Sequence, residues 1–289
     1  MKIYKKIVVF LLLITFINVK AQHINAFYLE AYIAYKLAKN GEIDSAITTY
    51  ENAFKKVDYV QITYLKSMVK LAKLNKDEER IKKYSQQIEK QSKGINPKLK
   101  AIIDSLIIGD QKVRKGKLYR RAKYSFRCDH KQNCNKQSKK YIKSKIVADN
   151  WRKTDSLNTH YLLNLFEQNG FIGEELVGYK GYVNVLAMLL HFDIDTNNTV
   201  LEPVLRKALN EGKILAIDFS IIIDRHLGDK YTIQKYWTWP YVGKEKLQFS
   251  EADIPKIIKL RESIGLYGLS LRQEEYRKGH WRLINKYNY

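Results

Sequence analysis

The sequence predicts an all-α protein, and three observations predict it. Only four prolines and 14 glycines fall in 289 residues, so little interrupts a helical backbone. Apolar residues recur at three- and four-residue steps through long segments, as in Val183, Leu186 and Leu190 or Leu215, Phe219 and Ile222, which is the period of a helix face. Residues 27–94 also repeat with a period of 34: Leu37-Ala38-Lys39 aligns with Leu71-Ala72-Lys73, Gly41 with Asn75, Ile47 with Ile81, Tyr50 with Tyr84 and Phe54 with Ile88. That period is one helix–turn–helix unit.

The N-terminus has the pattern of an export signal over residues 1–21. Lys2, Lys5 and Lys6 precede an apolar run from Ile7 to Val19, and Val19-Lys20-Ala21 supplies the small-residue cleavage site. The expected mature chain begins at Gln22 and is periplasmic or secreted. No later stretch reaches membrane-spanning length, so no membrane span is expected in it. The formal charge of +22 falls to +18 once the four lysines of residues 1–21 are removed.

Within the repeat, Ala34, Ala46 and Ala53 occupy places where two helices approach closely, and Leu37 and Tyr50 fill the large positions. The first copy, A-Y-I-A-Y-K-L-A-K-N-G-E-I-D-S-A-I-T-T-Y-E-N-A-F, resembles the tetratricopeptide repeat family. The second departs from it, with Met68, Arg80 and Gln87 at the small positions. Two units fall short of the roughly three a free-standing array needs. The expectation over residues 22–95 is therefore two tetratricopeptide-like helical hairpins packed on an irregular helical bundle domain, or stacked on a protein partner.

Lys93-Gly94-Ile95-Asn96-Pro97 breaks the periodicity and marks the domain boundary, leaving 96–289 as a second, helical domain. An apolar helix with Ile102, Ile103, Leu106 and Ile107 leads to Asp110-Gln111-Lys112-Val113-Arg114. Residues 112–145 then hold 14 lysines and arginines against one acid, Asp129, with Tyr119, Tyr124, Phe126 and Tyr141 interleaved. Basic side chains neutralise phosphates and aromatic rings stack on bases, but behind an export signal the expected partner is an anionic envelope surface rather than nucleic acid. A solvated basic loop, inserted at about 115–148, is the plainer expectation. Cys128 and Cys134 lie inside it and form either a local disulfide or two free thiols. Four zinc ligands are lacking, since only His130 is close by.

Trp151 to Gly170 has helical periodicity, as do 182–192, about 199–211 and about 214–227, and Ser250-Glu251-Ala252-Asp253 opens a last helix that runs to Gly265. Short turns make neighbouring helices antiparallel. His191, Asp193, Asp195, Asp224, Arg225 and His226 are then expected at one end of the bundle, with Gln234, Tyr236 and Thr238 leaving from it. Asp193-x-Asp195-x-Asn197 opens like a calcium loop but fails at Asn198, where glycine is required, and at Val204, where glutamate is required. A looser site using His191 with Asp193 or Asp195 stays open, although neither a metal nor a cofactor is expected.

Taken together, D-Q-x-x-R at 110–114, D-x-x-N at 155–158, N-G-F at 169–171, V-G at 177–178, the helix ending in His191, D-R at 224–225, Q-x-Y-x-T at 234–238 and R-x-x-x-G-L at 261–266 resemble an uncharacterised bacterial domain family. That family shares these motifs in order, including Gln-x-Tyr-Gly-Thr-Gln; here Trp237 replaces the Gly and Trp239 the final Gln. The resemblance implies where a site lies and supplies no chemistry. It marks Asp110, Gln111, Arg114, Gln234, Tyr236 and Thr238 as candidate ligand-binding residues.

Two functions compete. One is an exported binding or adaptor protein, with no G-x-S-x-G, H-E-x-x-H or phosphate loop in the chain. The other is a hydrolase or transferase with His191 as general acid or base, Asp224 orienting the imidazole and Arg225 binding an anionic group.

Overall fold

The structure is a computed structural model that describes residues 23–129, 134–191, 201–231, 235–238 and 251–267. These residues form eleven α-helices and one 3-10 turn, with no strand among them. The export-signal segment 1–21, Asp193, Asp195 and Gln234 lie outside the described residues. Among the described residues no helix is long and apolar enough to cross a membrane.

The chain divides into two compact units, one of residues up to Gly94 together with those from Val200 onward, the other of Ile95–Thr199. The first change of unit falls at the Gly94-Ile95 break. The second was not visible in the sequence, which left 96–289 as one domain.

The first unit opens with α1 (residues 23–39), α2 (Ile43–Phe54), α3 (Ile62–Leu74) and α4 (Glu78–Lys93). Ala34, Ala46 and Ala53 are fully buried, as are Tyr50 and Tyr84 at equivalent places 34 residues apart. Arg80, which aligns with Ala46, does not enter a core. It leans on α2 and pairs with both oxygens of Glu51, each at 3.1 Å, while Tyr84 Oη donates to Glu51 Oε1 at 2.9 Å. The sequence copy that loses its small residue thus gains an ion pair across the copies.

The unit continues with α9 (Leu201–Asn210), α10 (Ala216–Tyr231) and, after the 3-10 turn Glu251–Asp253, α11 (Ile254–Glu262). The first helix is built into these. Tyr28 Oη donates to the Ile214 carbonyl at 3.1 Å, Gln61 Nε2 to the Gly212 carbonyl at 3.3 Å, and the Tyr32 and Tyr267 rings stack at 6.1 Å. Gly265 has φ +77, and a Cβ there would sit 2.5 Å from the Tyr28 ring. Only glycine suits both that backbone and that approach.

The second unit holds α5 (Pro97–Lys112), α6 (Gly116–Asp129), α7 (Lys139–Asn169) and α8 (Glu174–Leu190). Asn96 caps α5, its side chain accepting from Lys98 N and Leu99 N, with Pro97 in the first turn. Helices α5 and α8 run parallel, as three ties show: Asn96 N to the Leu176 carbonyl at 2.7 Å, Asn184 Nδ2 to Asp104 Oδ1 at 3.1 Å, and His191 to Asp110. The partners stay 80 or 81 residues apart along the whole length, so the two C-terminal ends meet. Within α8, Gly178 at φ 70 and ψ 170 bends the backbone where no L side chain is comfortable.

The basic segment is not a loop. Residues 116–129 and the start of α7 form an antiparallel helical hairpin whose buried positions are the small Ala122, Ser125, Ser144 and Ala148, with Cys128 and Tyr141. Small residues let two backbones approach, while lysine and arginine are good helix formers on the exposed side. The expected solvated loop overlooked that seam, which is formed by residues on two separate helices. Cys128 and Cys134 are joined in a disulfide, Cα to Cα 5.4 Å, and Tyr141 Oη donates to Asp129 Oδ1 at 2.5 Å beside it.

Candidate functional site

The meeting point of α5 and α8 gathers three of the sequence motifs. Asp110, in the last turn of α5, is buried. His191 caps the C-terminus of α8, and its Nδ1 lies 3.1 Å from Asp110 Oδ1. A carboxylate can only accept there, so Nδ1 carries a proton, and in the neutral form of the ring Nε2 is the acceptor. The His191 side chain is 19% exposed, and among the described residues Nε2 has no partner.

Arg114 locks this arrangement. Its Nη1 donates to the Asp110 carbonyl at 2.8 Å and to Asp110 Oδ1 at 2.9 Å, satisfying one of the carbonyls a helix end leaves open. Its Nη2 reaches Asp155 Oδ1 on α7 at 2.6 Å, and the guanidinium lies over the Trp151 ring, 4.8 Å from its centre. Trp151 Nε1 fills the other Asp155 oxygen at 2.9 Å, and Gln111 Nε2 fills Asp110 Oδ2 at 2.7 Å. Burial pushes the Asp155 carboxyl above its ordinary range, against the lowering pull of Arg114. Desolvation wins because both faces of this pair are shielded.

Asn158, one helical turn beyond Asp155, is also buried, and among the described residues its Nδ2 has no acceptor. Asp110, Gln111 and Arg114, expected as ligand contacts, hold one another and the imidazole. Trp151 and Asp155 were missed as parts of the site; the D-x-x-N motif at 155–158 was the available signal.

The second group of candidates lies in the other unit. Asp224, on α10, is fully buried. Its Oδ1 accepts from Lys235 N and Tyr236 N, both at 2.8 Å, and its Oδ2 from Thr238 N at 2.6 Å and Thr238 Oγ1 at 2.7 Å. Four donors exhaust the lone pairs of a carboxylate. Burial pushes this carboxyl up as well, with the backbone donors pulling it down.

Tyr236 is buried beneath this loop. Its carbonyl accepts from Arg261 Nη1 at 2.8 Å and its hydroxyl from Arg206 Nη2 at 3.3 Å. Trp237 adopts φ +55, a left-handed conformation that a side chain strains. Arg225 is partly buried on α10.

The orienting role expected of Asp224 therefore goes to Asp110. Asp224 instead ties down residues 235–238, and Tyr236 and Thr238, expected as ligand contacts, are the residues tied. In the same unit a cavity of about 30 Å³ lies between Tyr28, Tyr32, Leu215 and Tyr267. It has room for water and is far below the roughly 300 Å³ of a small-molecule site. Among the described residues no three His, Cys, Asp or Glu side chains group to hold a metal ion.

No protein-family model matches this chain, and neither does any curated protein or solved structure.

Proposed function

We propose that residues 95–199 carry an acid–base site centred on His191, and that the protein is an exported hydrolase or transferase. The observation that carries this reading is the Asp110–His191 pair, a buried carboxylate on Nδ1 with Nε2 open and the ring partly exposed. In that geometry Nε2 takes a proton from water or a hydroxyl nucleophile and returns it to the leaving group, while Asp110 stabilises the imidazolium between the two steps. Arg114 acts as a positioning residue, since its guanidinium is already engaged by two carboxylates. Export is supported by the pattern of residues 1–21 and by the Cys128–Cys134 bond, which persists in an oxidising compartment.

Acylation by diethyl pyrocarbonate, mapped by mass spectrometry, tests the site. His191 is expected to react faster than the exposed His160, whose Nδ1 lies 2.7 Å from the Ser156 carbonyl, and Asp110→Asn is expected to slow His191 by about tenfold. An inert His191 beside a reactive His160 rejects the reading. Turnover of an ester, amide and phosphodiester panel, lost in His191→Gln, then identifies the bond cleaved.

The adaptor reading keeps one specific support. Leu29 and Ile33, one turn apart on α1, are large apolar side chains left exposed, and the tetratricopeptide-like helices would offer them to a protein partner. Loss of a captured partner on Leu29→Glu with Ile33→Glu would favour it.

A further inference from the structure

One face of α7 stays uncovered along most of its length. Ile142 is 50% exposed, Ile146 58%, Leu157 61% and Tyr161 45%, and their spacings of four, eleven and four residues put them on one stripe of a helix. Lys139, Lys143 and Lys153, all exposed, fall on the same arc.

We propose that this face of α7 docks on the surface of an anionic lipid bilayer. The isoleucines enter the boundary between headgroups and acyl chains, and the lysines lie over the phosphates, as in helices that rest in the plane of a membrane. Charge complementarity sets the sign of the partner: residues 112–145 hold one acid and 14 cations, of which Arg114 is turned inward onto Asp110 and Asp155. That acid, Asp129, accepts from Tyr141 and faces Arg152 at 3.8 Å; Asp149, at the edge of the stripe, is bridged to Lys145 and Arg152.

Two other polyanions fit less well. A nucleic acid would need free aromatic faces, but Tyr119 and Phe126 pack on Trp151 at 6.1 and 5.6 Å, and Lys140 covers the Tyr124 ring at 4.4 Å. A polysaccharide would satisfy the charges and leave the aliphatic stripe in water. The long lysine side chains suit a bilayer for a further reason: their apolar stems lie along the isoleucines while the ammonium groups stay at the headgroups.

The test is co-sedimentation of the full chain with vesicles of phosphatidylcholine, with and without phosphatidylglycerol, beside a dextran sulfate arm. Binding is expected only to the anionic vesicles and is lost at about 1 M salt, where the screening length falls to about 3 Å. Lys139→Gln with Lys143→Gln should weaken it by about fivefold per charge. Ile142→Ser with Ile146→Ser, which leaves every charge in place, should weaken vesicle binding by about tenfold and leave dextran sulfate binding unchanged. Both pairs are exposed, and an unchanged far-ultraviolet circular dichroism spectrum checks that the helices persist. Absence of binding to anionic vesicles overturns the proposal. So does vesicle binding that ignores the isoleucine change, which would make the face a general polyanion surface.

Discussion

Asp110, in the last turn of α5, and Asp224, in the middle of α10, are both buried carboxylates, and they are used in opposite ways. Asp224 spends its oxygens on three backbone amides and one hydroxyl from residues 235–238. Nothing it holds can change charge. Asp110 is shared among Arg114, Gln111 and His191, and the last of these is partly exposed. A carboxylate closed by main chain is architecture, because its only product is a loop conformation. One that ends on an imidazole passes its charge outward, where a ligand can meet it.

The sharpest way to break that contrast is at Asp224. Asp224→Ala leaves three backbone amides without acceptors and is expected to cost about 3–5 kcal/mol in denaturant melts. Asp224→Asn keeps one good acceptor oxygen and should lose about half of that. A tolerated Asp224→Ala would show that the 235–238 loop is held by something else and that Asp224 is free for a chemical role.

Arg114→Met comes next. It leaves Asp110 and Asp155 close together with no cation between them, and about 3 kcal/mol is expected, less than the full cost of a buried unpaired charge because one carboxyl can take up a proton. Adding Asp155→Asn removes the second charge and should recover part of the loss. A coupling energy of about 1–2 kcal/mol in the double-mutant cycle is the expected outcome, and additive effects would mean that Arg114 does not bridge the two carboxylates in solution.

Titration separates the buried network from the surface pairs. Burial raises Asp155 in the folded chain, so its contribution to stability is whole below about pH 4, the unfolded value, and is lost as the pH rises through the folded value. Asp155→Asn cannot ionise, so its deficit relative to the parent should shrink as the pH rises. Glu51 runs the other way. Hydrogen bonds from Arg80 lower it, so its contribution is present above the unfolded value and disappears as the pH falls through the folded one. The Glu51→Gln deficit should therefore vanish in acid. Each effect is expected at about 1 kcal/mol, the Glu51 one smaller because Arg80 is well exposed and screened, and midpoints of urea melts across pH 3 to 7 check both slopes.

The sequence showed the helices well and their pairing poorly. Asn96-Pro97 was legible as a helix start because a cap and a first-turn proline are local chemistry. The α6–α7 hairpin was not, since its stability rests on Ala122, Ser125, Ser144 and Ala148 forming one seam, a relation between helices that no single window contains. The site divides in the same way. His191 at a helix end, Asp110 and Arg114 were all visible as candidates. That Asp110 rather than Asp224 would hold the imidazole depends on α5 and α8 lying parallel in register, which is set by contacts about 80 residues apart. Trp237 is a further case: the residue could be read, but its positive φ could not.

The smallest stability change is expected where the chemistry is expected to be largest. His191→Ala removes a side chain that is partly exposed and makes one hydrogen bond, and Asp110 keeps Arg114 and Gln111 as donors. The cost should be about 1 kcal/mol, the ordinary worth of a single bond whose acceptor stays satisfied. A residue whose role is to hold the α5 and α8 ends together would behave differently, because its loss would leave a buried carboxylate short of a partner and cost several times more. Asn158→Leu provides the control from the same region: it removes a buried amide donor that has no partner among the described residues, so it should leave stability unchanged or raise it. If His191→Ala costs as much as Arg114→Met, the imidazole belongs to the structural network and the acid–base reading falls. If it costs about 1 kcal/mol and abolishes turnover of the ester, amide and phosphodiester panel, His191 is held in place by the fold without being needed for it, which is what a proton carrier at the rim of a buried network requires.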